Sequence, residues 1–209
     1  MRALIIANGV IPSRDMMDTI LASADLIVCA DGGANHARKL ALTPNIILGD
    51  LDSISAATKK FYRHIPQILV ADQNSTDLEK AIEFCVRRKI PSAEIVGVTG
   101  DRLDHVTGSL GCFKKYGRRI ELTMIDSRGI LELVKGTLRL RTSVGARISL
   151  IPVDHCSGVT TTHLKYPLKN DDLELGVREG ISNEATAKNV TIRVRRGTLL
   201  CYRFHSRPK

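Results

Sequence analysis

The sequence predicts a Rossmann-like α/β domain built on a parallel sheet, followed by an antiparallel β-sandwich domain. Three observations lead there. Across residues 2–125, continuous apolar β-type runs alternate with helix-periodic segments, the pattern of parallel strands covered on both faces by crossover helices. After Asp126 the rhythm changes to short strands of alternating polarity separated by turn residues, as in a sandwich. No repeat, low-complexity tract or long linker lies between the two rhythms. The expected division is therefore 1–125 and 126–209, with a tight boundary near 127–129. A length of 209 residues suits one large domain or two small ones, at roughly 150 residues per domain.

The expected strands of the first domain are 3–7 (ALIIA), 26–30 (LIVCA), 46–48 (IIL), 68–71 (ILVA), 94–98 (EIVGV) and 120–125 (IELTMI). Between them, residues 77–89 place Leu78, Ala81, Ile82 and Cys85 on one helical face, and 55–62 is a second helix-like stretch. In the later half, 136–142 sets Leu138 and Leu140 against Arg139 and Arg141, and 191–195 sets Ile192 and Val194 against Arg193 and Arg195. The more apolar 146–153 reads as a central strand.

Composition narrows the function. Hydrophobic residues at 43% and charged residues at 25% are ordinary for a globular protein. No apolar run approaches the ~18 residues of a membrane span, and the N-terminal one is too short for a signal peptide. A cytoplasmic protein without a membrane partner is expected. Cys29, Cys85, Cys112, Cys156 and Cys201 are widely spaced, form no C-x-x-C pair and sit in apolar contexts, so they read as buried thiols. The net charge of +9 is unevenly shared: 16 basic against 14 acidic residues in 1–125, and 15 against 8 in 126–209. Most of the surplus lies on the outward phase of alternating strands, which reads as a solvated face. With 4% aromatic residues, no tryptophan and no recognition motif, a nucleic-acid partner is not expected.

Ligands of open parallel sheets bind at the carboxyl ends of the strands, and those ends are rich here in carboxylates and glycines. They run into Asp31-Gly32-Gly33-Ala34-Asn35, Gly49-Asp50-Leu51-Asp52-Ser53, Asp72-Gln73-Asn74-Ser75-Thr76-Asp77 and Thr99-Gly100-Asp101-Arg102-Leu103-Asp104-His105. In an extended segment Asp50 and Asp52 project to the same side and can grip one hard cation such as Mg²⁺; equally, one of them can serve as a turn or cap residue before 55–62. Thr76 can cap the following helix while Asp77 faces a metal. Gly32-Gly33 suits close approach of backbone to a ligand or a plain turn. Arg102 with Asp101 and Asp104 is either an ion-pair cluster or a phosphate clamp, and His105 is secondary. There is no P-loop and no G-x-G-x-x-G after the first strand, which disfavours a dinucleotide redox enzyme.

The segments ADGGAN (30–35), GDLDSI (49–54), DQNSTDLEKAI (72–82), GVTGDRLDH (97–105), LKYPLKN (164–170) and GISNE (180–184) together resemble the thiamine pyrophosphokinase (thiamine diphosphokinase) family, in the family's order and across both halves. The resemblance implies transfer of diphosphate from ATP to the hydroxyethyl group of thiamine, giving thiamine diphosphate and AMP. It implies a homodimer with thiamine at the subunit interface. Carried over by motif, Asp50, Asp52 and Asp77 are the Mg²⁺ ligands, and these three with Arg102 and Asp104 form the catalytic set. Asp31, Gly32, Gly33, Asn35, Thr76, Thr99 and Arg102 surround ATP; Gln73, Ser182 and Asn183 contact thiamine. Asp77 is the first candidate to accept the hydroxyl proton. The aromatic that some members carry after the Ser-Asn pair has no counterpart in 184–190, and Tyr166, Tyr202 and Phe204 read as packing residues. The alternative, a non-catalytic nucleotide- or thiamine-binding protein of the same fold, is disfavoured by the complete carboxylate set.

Overall fold

Strand β1 (Arg2–Ile6) carries four consecutive buried side chains, Ala3 to Ile6, because it pairs in parallel with a neighbour on each side. These neighbours are β2 (Leu26–Ala30) and β5 (Ser92–Val96). From β2 the parallel sheet continues through β3 (Ile46–Gly49) to β4 (Gln67–Leu69), and from β5 to β6 (Glu121–Ile125). The spatial order β4-β3-β2-β1-β5-β6 reverses its progression at β1/β5, a topological switch point. The computed structural model describes residues 1–100 and 102–205, and the chain divides into units Met1–Ser127 and Arg128–Lys209.

Five helices connect the parallel strands: α1 (Arg14–Leu21), α2 (Gly33–Lys39), α3 (Ala56–Phe61), α4 (Asp77–Arg87) and α5 (Leu103–Tyr116). The apolar stripe of α4 buries Leu78, Ala81, Ile82 and Cys85, and the helix packs against β1, β2 and β3. Burial of each leucine or isoleucine there contributes about 1.5–3 kcal/mol. Ser55 caps α3 by accepting from the Thr58 amide. Two strands of this unit end more than one residue from the expected place. β4 is a three-residue edge strand, exposed throughout, because the carbonyl-end residues of β3 leave register partners only for 67–69. β5 stops at Val96, because the loop after it bonds instead to the loop after β1: Gly9 N donates to Gly97 O (2.7 Å) and Val10 N to Thr99 O (2.6 Å).

Among the described residues of the second unit every strand pairing is antiparallel. β7 (Gly129–Leu133), β9 (Arg147–Pro152), β12 (Gly180–Glu184) and β14 (Leu199–Phe204) run in the order β12-β9-β14-β7. β8 (Thr137–Arg141), β10 (Cys156–Thr162), β11 (Lys169–Leu173) and β13 (Asn189–Arg193) run in the order β11-β10-β13-β8. Their inward residues meet in one core: Ile148, Leu150, Leu199 and Cys201 from the first set, Leu140, Val159, Val190 and Ile192 from the second. Arg139, Arg141 and Arg193 occupy the exposed phase of β8 and β13. Tyr166 is exposed instead of packed, while Tyr202 and Phe204 stack edge to face at 4.8 Å.

All five cysteines are buried free thiols. Burial pushes Cys29, Cys85, Cys112 and Cys201 up to about 12 and Cys156 to about 11, which suppresses the reactive thiolate. The native protein is therefore expected to give almost no reaction with an aromatic disulfide reagent at mildly alkaline pH, and all five thiols are expected to react once denaturant is added. Rapid labelling of any of them in the native state would contradict the packing described.

Candidate functional site

The switch point opens into a cavity of about 420 Å³, lined by the segments that follow β1, β2, β3, β4 and β5. Three carboxylates meet on its wall. Asp31, Asp50 and Asp77 each place an oxygen within 4.8 Å of the others, although like charges so close repel strongly in a half-buried setting.

Local backbone geometry holds them together. Asp31 leaves β2 in the left-handed region (φ 42°), a conformation that costs a non-glycine residue about 1 kcal/mol or more. Its amide is fixed to Leu48 O at 2.8 Å, and its Oδ2 accepts from Ser53 N at 3.2 Å. Gly49 (φ 146°) has no Cβ because one would lie 2.9 Å from both Asp31 Cβ and Asp77 Oδ1. Asp77 Oδ1 accepts from Asp50 N at 3.3 Å and from Lys80 Nζ at 3.0 Å. Thr76 closes the start of α4 with a full capping box, its hydroxyl accepting from Glu79 N while Glu79 accepts from Thr76 N. Thr76 thus caps while Asp77, one residue on, faces the cavity.

The other expected residues fall into distinct places. Gln73, Thr76, Thr99 and Arg102 line the cavity. Asp52 stands outside the group of three: Leu51 takes φ 64°, which breaks the extended alternation, and Asp52 Oδ1 accepts from Ser53 Oγ at 2.9 Å. Asp52 N in turn donates to Asp50 Oδ1. Gly33 lets α2 start against β1, since a Cβ there would sit 1.9 Å from Ile6 O, and the space at Gly32 is filled by the Asn8 side chain. Asn35 ties down the loop after β3, donating to Ser53 O (2.9 Å) and accepting from Ser55 N (3.1 Å). Arg102 forks onto both oxygens of Asp104 at 2.9 and 2.6 Å, and this pairing holds the Asp104 carboxyl far below the usual carboxylate range. Asp101 lies outside the described residues.

Ser182 and Asn183 belong to β12 in the second unit. Ser182 is exposed at an irregularity in the β12–β9 register with φ 59°, and its amide donates to Ser149 Oγ. Asn183 is buried, accepting from Tyr166 N and Glu184 N and donating to Tyr166 O. The cavity also uses Asn8, Gly9, Lys80 and Ser109, which the sequence reading did not single out. Asn8 and Gly9 follow the first strand, so the same carboxyl-end rule points to them. Lys80 lies three residues after Asp77, the spacing of a helical ion pair.

One parallel α/β sheet with carboxylates, amides and cations gathered at its switch point, joined in the chain to an antiparallel sandwich, defines a two-domain ligand-binding α/β protein. The model of the thiamin pyrophosphokinase catalytic domain matches residues 17–124, and that of the thiamin pyrophosphokinase vitamin B1 binding domain matches residues 137–199. The chain belongs to the thiamine pyrophosphokinase family. It is 29% identical over 198 residues to thiamine pyrophosphokinase 1 of Oryza sativa subsp. japonica, covering 81% of this chain and 75% of that one. It is 28% identical over 185 residues to thiamine pyrophosphokinase of Bacillus subtilis, covering 85% and 86%. The crystal structure of thiamine pyrophosphokinase from Bacillus subtilis matches the fold with a TM-score of 0.85, over 99% of this chain and 100% of that chain, at 24% identity.

Asp31 allows a pH test. Burial raises its pKa first, and the Asp77 charge adds to that. A group whose pKa is raised by folding contributes stability at low pH that is lost as pH climbs through its folded value. In chelator, Asp31→Asn should therefore melt higher than the parent near pH 7, with the gap closing toward about pH 4. Thermal melts across that range check it; a variant that melts lower at neutral pH would refute the cause assigned.

Proposed function

We propose that the chain is a thiamine pyrophosphokinase in the full sense, moving diphosphate from ATP to the hydroxyethyl oxygen of thiamine and releasing AMP. The observation that carries the reading is the trio of carboxylates at the switch point, within the segment matched by the catalytic-domain model. These residues suit Mg²⁺, a hard cation that takes carboxylate oxygens and keeps phosphate and water as its other ligands. Asp31 Oδ1 is buried with no hydrogen-bond partner, a donor oxygen left over for such a ligand. In this reading Asp31, Asp50 and Asp77 hold the ion, and Asp52 steadies Asp50 through its amide. Bound there, Mg²⁺ would supply Lewis-acid neutralisation of the polyphosphate charge.

The chain's own groups do the rest. Thr76, Thr99 and Arg102 face the nucleotide from the cavity wall, with Gln73 within reach of either substrate and Asp104 orienting Arg102. A carboxylate oxygen of the cluster, that of Asp77 first, accepts the hydroxyl proton as the oxygen–phosphorus bond forms and AMP leaves. Gly32, Gly33 and Asn35 act one step back, by fixing the loops that carry Asp31 and Ser53. Ser182 and Asn183 serve thiamine, Ser182 by contact and Asn183 by shaping the Tyr166 loop, in a homodimer that places thiamine at the subunit interface. Among the described residues no helix is long and apolar enough to cross a membrane, and the enzyme works in the cytoplasm.

A coupled assay of AMP release with ATP and Mg²⁺ should show turnover only when thiamine is added. AMP formation without thiamine would reduce the reading to nucleotide hydrolysis, and none under any condition would favour a binding protein. Asp77→Asn should lower turnover by roughly 100-fold or more, the usual cost of losing a key charge stabiliser. Sedimentation at micromolar concentration should give twice the chain mass of 23.0 kDa.

A further inference from the structure

The cavity holds a cation of its own. The Lys80 side chain is only 4% exposed, and its Nζ lies 3.0 Å from Asp77 Oδ1. A buried ammonium is costly unless paired, and three adjacent carboxylates are costly unless neutralised. Each strain relieves the other. Lys80 reaches the cluster from one turn further along α4, whose first turn is locked by the Thr76–Glu79 box, so the ammonium is fixed in place instead of sampling solvent. Asp77 Oδ1 accepts from Lys80 and from the Asp50 amide at once.

From this geometry we infer that Lys80 is a resident counter-cation that stands in for a divalent ion when the nucleotide is absent. It lets Asp31, Asp50 and Asp77 assemble without metal, and it weakens their grip on free Mg²⁺. The ion then binds well only in the company of a polyphosphate, whose negative charge outweighs the lysine. The inference rests on the reading of the three carboxylates as the metal site. Repulsion between one ammonium and a divalent ion a few ångströms away is large enough, at the effective dielectric of a protein cleft, to change affinity severalfold.

The test is a titration of nucleotide-free protein with Mn²⁺, followed by electron paramagnetic resonance of the free ion. Lys80→Met keeps the length of the stem and removes the charge, and should bind Mn²⁺ roughly three-fold or more tightly than the parent. Lys80→Arg, which keeps the charge, should stay within about two-fold of the parent. In chelator the methionine variant should melt below the parent, and saturating Mn²⁺ should narrow that gap. If it does not fold without metal, Lys80→Gln is titrated and judged by the same criterion. Unchanged or weaker Mn²⁺ binding by the uncharged variants overturns the role of Lys80 while leaving the metal site intact. A parent chain that binds no Mn²⁺, with or without a non-hydrolysable nucleotide, removes the metal reading itself and this inference with it.

Discussion

Three carboxylates within 4.8 Å of one another are the constraint around which the first unit is arranged. Their repulsion is met by backbone amides and by the Lys80 ammonium. The amides of Ser53 and Asp50 are turned onto Asp31 and Asp77, and two non-glycine residues, Asp31 and Leu51, accept left-handed backbone to make this possible. Gly49 supplies the clearance between them. These local costs are borne by a sheet whose central strand is buried along four consecutive side chains, so the stable part of the fold holds the strained part in position.

The switch point explains why the cluster sits where it does. The loops after β1 and β5 bond to one another through Gly9 and Gly97, which makes one wall of the cavity out of main chain. The start of α4 and the loop before it also line the cavity. The cavity is therefore framed in part by main chain, and the residues that line it include ones from the segments after five separate strands.

Much of this was legible in the sequence, and the limits have physical causes. The strands and α4 followed from periodicity, because continuous apolar runs have few alternative folds. Asp50 and Asp77 were visible as acids at strand and helix ends. That Asp31 and not Asp52 completes the group was not, because it depends on left-handed backbone at Asp31 and at Leu51, and nothing in D-x-D spacing announces a left-handed residue between the acids. Asn35 and Asn183 illustrate a second limit. Each amide is spent on backbone 18 to 20 residues away for Asn35 and 17 for Asn183, a use that sequence cannot separate from ligand contact. Lys80 shows a third: an acid and a base three apart on a helix ordinarily make a solvated pair, and only burial shows that this one lies inside the cavity.

The edge strand β4 has a consequence for the protein in concentrated solution. Its residues Ile68 and Leu69 are exposed at an open end of the parallel sheet, where a longer strand would recruit the same edge of another copy. Three residues offer few ladder bonds to such an intruder. In the chain β4 is preceded by the basic residues Lys59, Lys60 and Arg63. The brevity of β4 thus leaves the open edge of the parallel sheet with little to offer a second copy.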